Sequence, residues 1–231
     1  MVVKGAPRTL VIGNLNNSMS LEEYRKKRKF NETPEPVGRV RRASGTRIFV
    51  VQKHVASRLH YDFRLAINGV LVSWAVPKGP SMNPADKRLA VRTEDHPLEY
   101  ADFEGIIPEG HYGAGTVMVW DNGKYEPKDR TAPEEQLARG KIDVVLDGEK
   151  LRGGFTVIQT GNRPDGPSDR KRWLLIKHRD EQADPSWEIE SPKLNRSVLT
   201  GRTLKEIEEY GSKKPPIQMA RRQPRSKQMN K

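Results

Sequence analysis

The segment HVASRLHYDFR, residues 54–64, concentrates side chains that could bind a metal ion and an anion. It contains two of the chain's five histidines, one aspartate and two arginines. Alternate side chains of a β-strand share a face, so His60, Asp62 and Arg64 would point the same way, opposite an apolar set. Burying an imidazole, a carboxylate and a guanidinium without partners is costly. A divalent cation at His60 and Asp62, with a phosphate at Arg64, would satisfy all three groups.

His54 precedes His60 by six residues and reaches the same site only if the chain bends across VASRL. With His54, the site would have two imidazoles and one carboxylate, a ligand set that suits manganese, iron or zinc. Thiolate sites are excluded because the chain has no cysteine. The His-x-Asp pair alone is explained more simply as a solvent-facing polar strand. Adding His54 and Arg64 favours the metal site.

A second polar group lies at VRTEDHPLEYADFEG, residues 91–105, where Tyr100 follows His96 by four positions. A histidine can protonate a leaving oxygen or bind phosphate, and a tyrosine hydroxyl can donate to phosphate. Either residue alone is explained more simply as an ordinary surface loop residue. Lys78, in VPKGPS, occupies a turn at a strand end, where it could contact an anion. PEGHYGAG, residues 108–115, lacks the Walker spacing and a following helix, so we predict a tight turn.

The elements that must position these residues are mostly short strands. Segments rich in β-formers lie between turn signals at 47–52, 59–67, 70–76, 88–93, 115–121, 141–147, 154–160 and 172–178. The Asn68-Gly69 pair predicts a hairpin turn, and APEEQLARG at 132–140 predicts a helix that ends at Gly140. About eight strands with hardly any helix favour a closed β-barrel or a sandwich over a βαβ arrangement.

The net charge of +12 is carried by the two ends of the chain. Residues 1–46 have ten Lys and Arg against four Asp and Glu, and residues 201–231 have nine against three. Residues 47–200 balance at 23 of each sign. Basic arms suit a polyanion such as DNA or RNA, although they can also merely solubilise a protein.

This pattern predicts three regions. We expect residues 1–36 to form a basic arm with one short helix, capped by Ser20, and residues 37–195 to form the β domain. Residues 196–231 should add a short helix and a basic tail, disordered from residue 211. No apolar run approaches the roughly 20 residues of a membrane span, and no convincing signal sequence is present. We therefore predict a soluble cytoplasmic protein.

Several blocks together resemble a known family over about residues 21–195. FVVQKHVASRLHYDFRL, SWAVPKGPS, EDHPLEYADFEGIIPEGHYGAGTVMVWD and WLLIKH are similar to the 3′-phosphoesterase domain of bacterial DNA ligase D, which also occurs in a free-standing form. The resemblance implies a compact closed β-barrel and a manganese-dependent enzyme of non-homologous end joining. Members remove a terminal ribonucleoside and hydrolyse the 3′-phosphate of a primer strand, leaving a 3′-hydroxyl fit for ligation.

The resemblance also implies roles for single residues. It implies metal ligands at His54, His60 and Asp62, phosphate contacts at Arg64, His96 and Tyr100, and further substrate-binding positions at Lys78, Arg88, Glu94, Arg28 and Glu35. The family usually has an acidic residue where this chain has Lys29. The implied cofactor is Mn²⁺ or another divalent transition metal, with His96 as general acid. The implied substrates are DNA 3′ ends of primer–templates, including ribonucleotide-terminated ones, and the implied partners are a DNA ligase and end-joining factors.

Two other function classes remain open on the residues alone. Two histidines and one carboxylate also form the ligand set of non-haem iron oxygenases, for which iron binding and oxoacid turnover would be diagnostic. A non-catalytic DNA-binding module would keep its DNA affinity under chelator and leave the 3′ end unchanged.

Overall fold

The structure is a computed structural model, and it describes residues 21–38, 45, 47–160 and 169–213. Its strands are β1 (Ile48–Val55), β2 (Leu59–Ile67), β3 (Val70–Val76), β4 (Lys87–Arg92), β5 (His96–Pro97), β6 (Gly105–Ile107), β7 (Gly115–Pro127), β8 (Lys141–Gly148), β9 (Arg152–Gln159) and β10 (Arg172–Lys177). Its α-helices are α1 (Glu22–Lys26), α2 (Pro133–Ala138) and α3 (Leu204–Lys213), with 3-10 turns at Leu98–Asp102 and Pro192–Leu194.

Eight of these strands close into an antiparallel barrel. The pairing order is β1-β2-β3-β4-β10-β9-β8-β7, and β7 pairs again with β1. The two shortest strands lie off the ring, since β5 pairs with β3 and β6 pairs with β7. The prediction of a closed barrel of about eight strands is confirmed, and the sandwich is excluded.

Local turn signals gave correct element boundaries. Asn68 and Gly69 have φ angles of 51° and 79° between the paired residues Ile67 and Val70, as a two-residue hairpin turn requires. Gly140 has a φ of 75° just after α2, as predicted for the end of that helix. Ser20 and the tail beyond residue 213 lie outside the described residues. Across the described ranges, no helix is long and apolar enough to span a membrane.

Strands β1, β2 and β3, which pair through β2, are mostly buried on both faces. Tyr61, Phe63 and Leu65 belong to one apolar cluster with large side chains from distant strands of the ring, such as Phe155 of β9 and Trp173 of β10. Only the barrel interior can bring these residues together, so this set points inward.

The outward faces of β1 and β3 are covered by a second apolar cluster. Val50 and Leu71 pack there with Tyr24 and Tyr100. Tyr24 comes from α1 and is fully buried, and its hydroxyl donates to the carbonyl of Pro36 at 2.6 Å. The described part of the N-terminal region therefore packs against the barrel, over the face that carries His60, Asp62 and Arg64.

Candidate metal and phosphate site

A tight hairpin sets the two histidines side by side. His54, on β1, is the direct cross-strand partner of His60, on β2, and their ring centroids are 4.8 Å apart. The chain reverses over residues 56–58, so the bend expected across VASRL is a complete hairpin turn. Asp62 follows His60 by two positions and shares its face of β2.

One potential ligand atom from each of the three residues lies within 4.8 Å of the others. Nδ1 of His54 and Nε2 of His60 are each 3.8 Å from Oδ2 of Asp62. The opposite nitrogens donate to main-chain carbonyls, from His54 to Gly113 at 2.9 Å and from His60 to Arg58 at 3.0 Å. A carbonyl can only accept, so in the neutral form of each imidazole the proton lies on the carbonyl side of the ring and the lone pair faces Asp62.

Asp62 is ionised in this setting. Burial opposes its charge, but neighbouring positive charge, above all that of the Arg64 guanidinium, lowers the pKa of Asp62 to about 2. When both imidazoles are in this neutral form, their two lone pairs and a carboxylate oxygen converge on one another. This donor set fits a divalent transition-metal ion. The open side lies at His60, whose side chain is 23% exposed.

Arg64 is held next to this cluster by three neighbours. Its Nη2 lies 3.1 Å from Oδ2 of Asp62, its Nε donates to Gln52 at 2.8 Å, and its Nη1 donates to Ser73 Oγ at 2.8 Å. Gln52 in turn donates to the carbonyls of Tyr100 and Phe103. Neither Gln52 nor Ser73 was predicted, although Gln52 is a polar residue on the same face of β1 as His54.

His96 lies between two guanidinium groups. Nη1 of Arg64 is 2.8 Å from its Nδ1, and Nη2 of Arg28 is 3.1 Å from its Nε2. Burial and the positive charges of Arg64, Arg28 and Arg92 hold the pKa of His96 well below its ordinary value. A neutral imidazole has one acceptor nitrogen, so it cannot accept from both arginines. The carbonyl of Glu94 lies 3.0 Å from Nδ1 and can only accept, so the neutral ring donates to Glu94 and accepts from Arg28 at Nε2. An anion beside His96 would supply an acceptor for the Arg64 N–H that faces Nδ1.

Acidic residues fix Arg28 in this position. Its Nε donates to Glu35 at 2.7 Å and its Nη1 donates to Glu94 at 3.3 Å. The Tyr100 hydroxyl donates to the same Glu35 oxygen at 3.2 Å. Burial and the nearby Glu35 charge raise the pKa of Tyr100 well above its ordinary value, so this hydroxyl keeps its proton. The structure therefore gathers Arg28, Glu35, Glu94 and Tyr100 around His96.

Two predicted positions lie apart from this network. Lys78 and Arg88 line a separate cavity of about 350 Å³ between the residues that follow β3 and the start of β4. Arg88 donates to Asp86 at 2.8 Å, and within the described ranges neither residue bonds to the three clustered side chains. The side chain of Lys29 is largely exposed, and its Nζ lies 3.6 Å from Oε2 of Glu32.

Comparisons with known proteins point to one family. Residues 52–159 match the DNA Ligase D 3′-phosphoesterase domain. The chain is 51% identical over 191 residues to the multifunctional non-homologous end joining protein LigD of Pseudomonas aeruginosa. The aligned region is 81% of this chain and 22% of that protein. It is 44% identical over 167 residues to the LigD protein of Mycolicibacterium smegmatis, and the aligned region is 70% of this chain and 21% of that protein. It is 41% identical over 172 residues to the LigD protein of Mycobacterium tuberculosis, and the aligned region is 74% of this chain and 21% of that protein. The match spans about a fifth of the length of these curated relatives.

Proposed function

Because the chain contains a domain of the DNA ligase D 3′-phosphoesterase family, we propose that it is a metal-dependent enzyme that heals DNA 3′ ends during non-homologous end joining. In this proposal it removes a 3′-phosphate, or a 3′-terminal ribonucleoside, and leaves a 3′-hydroxyl that a ligase can use. The observation that carries the proposal is the convergence of three ligand atoms beside the Arg64 guanidinium, which shares the neighbouring His96 with Arg28.

The proposed cofactor is Mn²⁺, held by His54, His60 and Asp62. Another divalent transition metal would suit the same two nitrogens and one oxygen. A bound cation of this kind would neutralise phosphate oxygens as charge builds on them. The protein's part is to hold the lone pairs of both histidines in place through Gly113 and Arg58.

Arg64 and Arg28 are the proposed phosphate contacts. A guanidinium matches phosphate oxygens bidentately, and Arg64 already lies against Asp62, so a phosphate on Arg64 would lie beside the cation. The negative charge of the phosphate would offset the two arginines and raise the pKa of His96. The imidazole could then carry a proton to the leaving oxygen as the general acid.

The remaining predicted residues take supporting roles in this proposal. Tyr100 keeps Glu35 in place, and Glu35 and Glu94 hold Arg28. These groups would also line the space for a terminal ribonucleoside. Lys78 and Arg88 lie farther from the cluster and would contact the nucleic-acid strand beyond the scissile phosphate.

The test is an end-processing assay on two primer–templates, one ending in a 3′-phosphate and one in a ribonucleotide, with and without manganese. We expect the wild-type protein to release phosphate and the terminal nucleoside only with the metal, and His60→Ala and Asp62→Ala to lose both activities. His178→Ala is the matched control, because this histidine instead bonds to Thr156, at 2.7 Å. Undiminished activity in both ligand variants would refute the metal assignment. DNA binding that persists under chelator with an unchanged 3′ end would support the non-catalytic DNA-binding module.

A further inference from the structure

The loop between β6 and β7 is locked against the candidate site. Gly110 and Gly113 have positive φ angles of 82° and 76°, which favour glycine, and the carbonyl of Gly113 accepts from His54. At Gly115 any Cβ would collide with the carbonyl oxygen of Val55. The loop therefore has a fixed position next to one predicted metal ligand.

The same loop also contacts the N-terminal segment, on the other side of the site. The hydroxyl of Tyr112 accepts from Lys27 at 3.4 Å, and Nε2 of His111 lies 3.6 Å from Glu32. Lys27 in turn pairs with Glu94 at 3.2 Å. Residues 111–113 thus bridge the ligand hairpin and the segment that supplies Arg28.

Tyr112 presents a large aromatic ring at this bridge. Half of the residue is exposed, and Lys27 Nζ and Arg28 Cζ lie 4.6 and 5.7 Å from its ring centroid. Val55 and Leu59, which are also exposed, follow His54 and precede His60 at the hairpin tip. The side chains of Tyr112, Val55 and Leu59 therefore form an apolar surface at the open side of the site, next to the charged residues Lys27 and Arg28.

We infer that Tyr112 forms a nucleobase subsite, on which the base of the 3′-terminal nucleotide stacks while its phosphate occupies the site. This inference rests on the proposed function. A phosphate fixed at Arg64 and Arg28 leaves its own nucleoside within reach of the adjoining loop. An aromatic face stacks on any base, and nearby cations suit the strand's backbone. A ring held by a rigid loop also loses little entropy on binding.

The experiment is a double-mutant cycle that combines a substitution of Tyr112 with removal of the terminal base of the DNA. KM for phosphate release is measured on a 3′-phosphate end with an ordinary terminal base and on one whose terminal nucleotide is abasic. We expect the wild-type KM to be about tenfold higher for the abasic end. In Tyr112→Ala the two KM values should become nearly equal, because the ring that distinguishes them is gone. Effects of the substitution on folding or on the metal site cancel in this ratio.

Two further variants sharpen the result. Tyr112→Phe keeps the ring and should keep the tenfold ratio. Tyr210→Ala removes an equally exposed tyrosine of α3, 46% exposed with Arg202 4.1 Å from its ring centroid, and should leave the ratio at the wild-type value. As a readout besides activity, the fluorescence of a terminal 2-aminopurine should be quenched on binding to the wild-type protein and not to Tyr112→Ala.

A ratio that stays tenfold in Tyr112→Ala, or a wild-type ratio near one, would overturn the subsite. Either result is distinct from failure of the proposed function, in which the wild-type protein would release phosphate from neither end.

Discussion

The two faces of β2 are both buried, yet they are built on opposite principles. The inward face carries Tyr61, Phe63 and Leu65 and is stabilised by the removal of apolar surface from water. The outward face carries Asp62 and Arg64, which are 7% and 2% exposed. Buried charges are tolerated only when paired, and replacing such a pair by apolar residues often costs no stability. The comparison teaches that apolar burial stabilises the inner face, whereas paired charges occupy the outer face, which carries the proposed site.

The largest expected effect is on the outer face. Asp62→Asn should lower the rate of 3′-phosphate release by about three orders of magnitude, because it removes the only anionic ligand of the proposed cation. Release rates under saturating substrate and manganese check this. The variant's cooperative unfolding transition serves as the control, and a rate within tenfold of the wild-type rate would contradict the assignment.

The matching change on the inner face should affect folding instead. Phe63→Ala should lower the free energy of unfolding by about 3–5 kcal/mol, because it leaves a cavity among packed aromatic rings. Urea unfolding of both proteins measures the difference. At a temperature where the variant is folded, its release rate should stay within a few-fold of the wild-type rate; a loss like that of Asp62→Asn would erase the distinction between the faces.

A smaller loss of activity is expected when a residue that orients Arg64 is changed. Gln52→Leu should lower the release rate about 10- to 100-fold, because Arg64 loses the acceptor of its Nε and its orientation. The metal affinity of the variant should be unchanged, which a manganese titration can check. If the rate is also unchanged, Arg64 does not depend on Gln52 for its position.

The smallest effect concerns His96 and pH. The folded pKa of His96 lies well below that of an unfolded histidine, so the unfolded chain binds the proton first as the pH falls. Stability that is present at neutral pH should therefore be lost as the pH drops below about 6.5. Between pH 7 and pH 5.5 this group should cost about 1 kcal/mol of unfolding free energy. His96→Gln should remove that part of the pH dependence, and equal pH profiles for the two proteins would contradict a neutral, buried His96.

Local patterns in the sequence predicted what neighbouring residues alone determine. The Asn68-Gly69 turn, the alternation along residues 59–67 and the helix before Gly140 all follow from short-range backbone preferences. The number of strands predicted a barrel or a sandwich, and only the β1–β7 pairing decides between them. The turn between His54 and His60 consists of Ala, Ser and Arg, which carry no strong turn signal.

The burial of the site could not be predicted, because it depends on distant parts of the chain. Tyr24 and Arg28 reach the outer face only through packing of the N-terminal segment. The amide of Gln52 is oriented toward Arg64 by its hydrogen bonds to the carbonyls of Tyr100 and Phe103, about 50 residues away. Arg28 and Glu35 were assigned by resemblance, and the structure places them in contact with each other and with groups around His96.

Direct titration with Mn²⁺, followed by electron paramagnetic resonance of the free ion, tests the central claim that His54, His60 and Asp62 share one cation. The wild-type protein and His178→Ala should each bind one equivalent tightly, whereas Asp62→Asn and His60→Gln should bind far more weakly while remaining folded. Equal affinity in all four proteins would contradict the claim.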